Sequence, residues 1–373
     1  GQALIASSTS AASWSTPTSK GRSATLTIAA SNSSTISKNS ADYVCAGTSD
    51  EDTINTAINA LPANGGRVVL LEGDFNCTNS VIIDSSYVSL EGQGLGFATS
   101  ITCPDGGVSR SAAIIVGDTK IVYQCSLRDF AINAGGGTQN VQSGTGHGIV
   151  LAGEGCFMEN VIVQFPAGDA FHIGQDLLNP SVQTRISTGG SLPQTTINVN
   201  STAGFASSGA IIINTSAGPA YITYTSKTGT SFTGLSCNFP TGASLSSGQT
   251  VIQATAVFET TLINCDADNP GQNGYYMDWN YSSCELFACR ADGSNSGKPS
   301  SVGTSCGFVL YGTQVKLVVC HAYFFNQYGL SIGGSSTYTA GEITILGGEW
   351  ETNASAGVCI ENNNGAVLLN GLQ

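Results

Sequence analysis

Four short segments put acids, an arginine, a histidine and a tyrosine at matching positions. They are Leu262-Ile-Asn-Cys265-Asp-Ala-Asp268, Leu286-Phe-Ala-Cys289-Arg-Ala-Asp292, Leu317-Val-Val-Cys320-His-Ala-Tyr323 and Ile345-Leu-Gly-Gly348-Glu-Trp-Glu351. If the Cys-type position points inward in a strand, residues one and three later point outward. This predicts one column of Asp266, Arg290, His321 and Glu349, and a second of Asp268, Asp292, Tyr323 and Glu351. With stacked strands about 4.8 Å apart, Asp268 and Asp292 approach the roughly 5 Å carboxyl separation of a retaining glycosidase. Asp292 and Glu351, two strands apart, approach the roughly 6.5–9.5 Å of an inverting one. Two close carboxylates push one pKa upward and so supply an acid and a base. The plain alternative is a solvated face on which Asp266 and Arg290 form an ordinary cross-strand pair.

Other residues offer chemistry with less support. His172, in Phe171-His-Ile173 with Asp169 and Asp176 nearby, suits sugar binding or a base, or a hydrogen-bonded surface histidine. Tyr276 and Trp279 suit stacking on sugars, and Arg290, His321 and Tyr323 suit binding through polar contacts. Tyr275 and Met277 read equally well as core. His147 in Gly146-His-Gly148 resembles the Gly-His-Gly of polygalacturonases, but the rest of that pattern is absent. No cysteine or acidic spacing marks a metal site, so neither a metal nor a cofactor is expected.

The elements that must hold these side chains repeat. Each segment is followed by a glycine and a short apolar strand: Gly274-Tyr-Tyr-Met277, Gly307-Phe-Val-Leu310, Gly329-Leu-Ser-Ile332 and Gly357-Val-Cys-Ile360. The segments begin at Leu262, Leu286, Leu317 and Ile345, so they recur at a coil length and not a hairpin length. Repeats this short bury their apolar faces only by stacking, and Gly, Ser, Thr and Asn-rich loops between apolar strands favour β coils. The pattern recurs at Leu127–Asn133 with Gly148–Leu151 and at Met158–Gln164 with Ala170–Ile173. Phe130 and Val161 are one such coil apart, whereas Val161 and Cys265 are separated by several; removing 184–256 restores the single-coil spacing. Residues 41–183 and 257–373 therefore read as one parallel β-helix, 184–256 as a small antiparallel β insertion, and 1–40 as a linker with an entry strand.

Composition narrows the function. Only 10% of residues are charged, glycines number 47, and the net charge is −13. Phosphate neutralisation needs Lys and Arg, so nucleic acid is excluded as a partner; no apolar run is long enough to span a membrane. Cys265, Cys289 and Cys320 occupy a position held upstream by Phe130 and Val161, so the twelve cysteines read as buried thiols replacing apolar residues. That suits folding in a reducing cytoplasm.

The most specific stretch is Ala41–Gly96. Asp-Tyr-Val-Cys-Ala-Gly-Thr leads into a helical pattern with an acidic start at Asp50, Glu51 and Asp52, favourable at the positive end of a helix dipole. Ile54, Ala57, Ile58 and Leu61 share one face of it. Gly65-Gly-Arg-Val-Val-Leu-Leu-Glu-Gly73 and Leu90-Glu-Gly-Gln-Gly94 follow. This stretch closely resembles the N-terminal cap of the pectate-lyase-like right-handed β-helix superfamily in its bacteriophage tailspike form. With the coils, the resemblance covers roughly 41–185 and 258–373. Gly1–Pro17 resembles junctions between modules of phage tail fibres, and the insertion resembles a small module of phage virion proteins.

The resemblance implies a homotrimeric tailspike or tail fibre, folded in the host cytoplasm and carried on the virion. It would join other tail proteins through a segment preceding Gly1 and recognise a host surface glycan. Whether it cuts that glycan, as an endoglycosidase or lyase, stays open. The alternatives are a non-enzymatic fibre segment and, with less support, a secreted pectate-lyase-type enzyme.

Overall fold

A computed structural model describes residues 3–8, 11–15, 24–94, 98–103, 112–119, 121–135, 146–174, 182–215, 218–237, 243–254, 257–278, 281–293, 305–333, 340–361 and 365–373. The fold is a right-handed parallel β-helix with three sheet faces.

The first face is an eight-stranded parallel sheet that includes His147–Leu151, Phe171–Ile173, Tyr275–Met277, Phe308–Leu310 and Tyr328–Ile332. The second runs through Phe157–Gln164, Val257–Ile263, Tyr281–Phe287, Thr313–Val318 and Gly341–Leu346. The third carries Asp266–Asp268, Arg290–Asp292 and His321–Tyr323. Each repeated segment thus bends from the second face to the third instead of running straight.

The bend has a physical signature. Asp129, Asn160, Asn264, Ala288 and Val319 all sit at φ between 50° and 59°, in the left-handed region. Asn and Asp tolerate it best, and here they also bond along the stack. Asn160 Nδ2 donates to Asp129 Oδ1 at 2.8 Å, and Asn264 Nδ2 donates to Asn160 Oδ1 at 2.8 Å.

The glycine after each segment has a reason too. A Cβ on Gly274 would lie 2.6 Å from Ala291 Cβ and 2.6 Å from the Gly307 carbonyl. Gly307 faces Ala322 in the same way. The third and first faces therefore meet through a glycine column packed on an alanine column.

Inside, Phe171, Tyr275 and Phe308 stack with ring centroids 4.7 and 4.6 Å apart. Tyr275 and Met277 are core, fully buried. Cys265, Cys289 and Cys320 fill the interior column, and burial pushes the Cys289 and Cys320 thiols well above their usual range. Eleven cysteines are free thiols, Cys45, Cys77, Cys103, Cys125, Cys156, Cys265, Cys284, Cys289, Cys306 and Cys320 buried and Cys359 partly so.

The helix at the N-terminal end spans Asp50–Asn59 and buries Ile54, Ala57 and Ile58. Its acids are not simply dipole partners. Asp50 accepts the amides of Gly47 (2.8 Å) and Asn76 (2.8 Å), and Glu51 accepts the amide (3.0 Å) and hydroxyl (3.0 Å) of Thr78. These carboxylates tie the helix to the first coils. A second helix, Thr35–Ser40, lies in what reads from sequence as linker. Val257–Ile263 and Asp266–Asp268 pair in register with Phe157–Gln164 across the intervening chain. That intervening chain folds into antiparallel sheets, with a core of its own around Ile197, Ile211, Ile222, Phe232 and Val251.

Candidate functional site

On the third face, parallel pairing places Asp266 beside Arg290, Arg290 beside His321, and His321 beside Glu349. It also places Asp268 beside Asp292 and Asp292 beside Tyr323. Ala267, Ala291 and Ala322 between them point inward and are fully buried. Glu351 lies after the last bridged rung, exposed.

The face is a bonded network. The Arg290 guanidinium grips Asp266 with both ends, Nε to Oδ1 at 3.1 Å and Nη2 to Oδ2 at 2.5 Å. Tyr323 Oη donates to Glu349 Oε2 at 2.6 Å, and His321 Nδ1 lies 3.6 Å from the same oxygen. Burial and that hydrogen bond push the Tyr323 phenol up to about 12. Asp268 is half-buried, its two oxygens accepting Gln164 Nε2 at 2.7 Å and Asn269 Nδ2 at 2.6 Å. Burial raises its carboxyl above the ordinary range and the charges of Asp266 and Asp292 add to this, against the opposing bond from Gln164. A carboxyl whose proton affinity is raised beside a second carboxylate is suited to give and take a proton.

The first face carries a second cluster. Residues at its outward positions are Ile115, Val150, His172, Tyr276 and Val309, in register. His172 stacks on Tyr276 (centroids 4.9 Å, planes 13° apart), and Tyr276 meets Tyr311 edge-on at 5.6 Å. His172 Nδ1 lies 2.9 Å from Asp169 Oδ2, while His147 Nδ1 accepts the Asp169 amide at 2.9 Å. Asp169 Oδ1 accepts the amide (3.1 Å) and side chain (2.8 Å) of Asn273. Burial works to raise the Asp169 carboxyl, but the His172 bond, the two imidazoles beside it and Asn273 outweigh it and hold it low. Sequence reasoning paired His172 with Asp169 but set His147 aside. His172 is in register with Val150, three residues after His147, so the two do not occupy equivalent positions of an alternating strand and no single periodicity links them. Trp279 and Asp176 lie outside the described residues.

No protein-family model and no curated protein matches the chain. Among solved structures, the A-module of a mannuronan C-5 epimerase of Azotobacter vinelandii is 15% identical with a TM-score of 0.55, over 88% of this chain and 72% of that one. That likeness shows a shared β-helix fold. ORF18 of Geobacillus virus E2 is 13% identical with a TM-score of 0.42, over 88% of this chain and 59% of that one. The pre-mature gene product 12 of bacteriophage phi29 is 13% identical with a TM-score of 0.49, over 86% of this chain and 33% of that one.

Proposed function

We propose that this chain is the β-helix of a phage tailspike or tail fibre that recognises a host surface polysaccharide through its third face. The observation that carries the reading is the register Asp268–Asp292–Tyr323 beside Asp266–Arg290–His321–Glu349. It makes a polar strip of repeating hydrogen-bond donors and acceptors at about 4.8 Å per rung, suited to the many hydroxyls of an extended glycan. The tailspike assignment rests on the cap and coil resemblance in the sequence. Assembly as a homotrimer, attachment to other tail proteins and a place on the virion belong to the same proposal.

Cleavage is part of it. Asp268, with its raised carboxyl, serves as the acid and Asp292 as its carboxylate partner. The test is mass spectrometry of a bacterial surface-glycan panel, including that of the host, after incubation with the protein. Products with an added water, lost in Asp268→Asn and Asp292→Asn, support a hydrolase; unsaturated ends point to a lyase. Intact glycan that co-purifies supports recognition without cleavage. No cutting and no binding would leave a structural fibre segment and sink the reading.

A further inference from the structure

The His147–Asp169–His172 cluster has no part in that reading, and its composition is unusual for where it lies. The same outward column holds Ile115, Val150 and Val309, all buried. Into this apolar row the chain sets the His172 imidazole, with the His147 ring 4.5 Å away and the Asp169 carboxylate against both, their side chains 4%, 11% and 3% exposed for His147, His172 and Asp169. Buried ionisable groups are paired with each other or coordinate a cation.

The geometry points to a cation. We propose that His147, Asp169 and His172 form a binding site for one divalent transition ion of the Zn²⁺ class. One ligand atom from each of the three lies within 4.8 Å of the others. Asp169 Oδ2 is 3.3 Å from His147 Nδ1 and 2.9 Å from His172 Nδ1. Ligand atoms about 2.0–2.1 Å from a shared ion are separated by about 2.9–3.4 Å in four- to six-coordinate sites. Two imidazoles and one carboxylate are a ligand set that suits Zn²⁺, Co²⁺ or Fe²⁺ and not the all-oxygen preference of Ca²⁺.

The supporting shell is built as such sites require. Asn273 holds the second carboxylate oxygen with two hydrogen bonds, and its own Oδ1 is held by the Cys306 amide at 3.0 Å. Tyr276 fixes the His172 ring by stacking. On binding, the proton between His172 Nδ1 and Asp169 Oδ2 moves to the other ring nitrogen. The Asp169 amide gives up His147 Nδ1, a neutral hydrogen bond exchanged for a stronger coordinate bond. Three protein ligands leave further coordination positions for water or a ligand hydroxyl.

The chain has three histidines, which makes the test direct. Untagged, chelator-dialysed protein is titrated with Zn²⁺ by calorimetry and followed by imidazole ¹H–¹⁵N spectra, with Co²⁺ as a visible probe. The expected result is one ion per chain at micromolar affinity or tighter. Two imidazoles should shift while that of His321 stays, and affinity should fall at least 100-fold in His172→Gln and Asp169→Asn. No stoichiometric uptake, a shift of His321 alone, unchanged uptake in His172→Gln, or a Co²⁺–thiolate charge-transfer band would each overturn it. The wild-type spectra decide even if a variant fails to fold. Uptake is read without glycan, so its failure leaves the polysaccharide reading standing.

Discussion

Gln164 Nε2 donates to Asp268 Oδ2 at 2.7 Å across 104 residues of sequence. That bond joins the last rung before the insertion to the first rung after it, so the third face is continuous although the chain is not. The insertion enters and leaves at one place, because Gln183 and Ile252 are antiparallel partners. Replacing residues 183–254 by a short Gly-Ser linker should therefore leave a folded β-helix. Far-UV circular dichroism and thermal denaturation read the outcome. A chain without cooperative unfolding would show that the insertion holds the two halves together.

The glycine column makes a sharper prediction. Gly274→Ala puts a methyl 2.6 Å from both Ala291 Cβ and the Gly307 carbonyl, and overpacking of this kind costs about 1–3 kcal/mol. Ala291→Gly in the same chain removes the first clash but not the second, so the double variant should recover only part of the loss. Urea denaturation of the two single variants and the double variant measures the coupling. Simple additivity would mean that the two faces do not press on each other there.

Much of this was legible because a solenoid writes its register into its repeats. The Leu-x-x-Cys-x-Ala pattern specifies which residues face in, and the recurrence of the segments from Leu262 through Leu286 and Leu317 to Ile345 specifies which rungs adjoin. From these two facts Asp266, Arg290, His321 and Glu349 fall into one column without a structure. The bend between faces was hidden, since Ala288 and Val319 occupy left-handed positions that their residue types do not announce. The His147–Asp169–His172 cluster was hidden for another reason. Asp169 sits before its strand, and its role depends on Asn273, 104 residues further on.

Val319 is at odds with its own backbone. It is β-branched, half exposed, and held at φ 52°, where L-residues other than Gly, Asn and Asp are strained by about 1–2 kcal/mol. Upstream, the same column holds Asn160 and Asn264. Val319→Asn should stabilise the chain by about 1 kcal/mol, seen as a higher urea midpoint at unchanged slope. An unchanged or lower midpoint would mean that the valine side chain offsets its strain through contacts on the surface.

The raised carboxyl of Asp268 gives a pH dependence with a definite sign. Its pKa is higher in the folded chain than the unfolded value of about 3.9, so folding favours the protonated form. Asp268 then contributes stability that is fully present below about pH 3.9 and is lost as pH rises through its folded value. Other carboxylates titrate in the same range, so the quantity to measure is the stability of the wild type minus that of Asp268→Asn, taken by urea denaturation in steps upward from about pH 3. That difference should fall as pH rises and then level off once Asp268 is ionised. Any glycan cleavage for which Asp268 is the acid should decline over the same window. A difference that is flat, or that grows with pH, would place Asp268 among ordinary ionised surface carboxylates and remove the acid from the proposed pair.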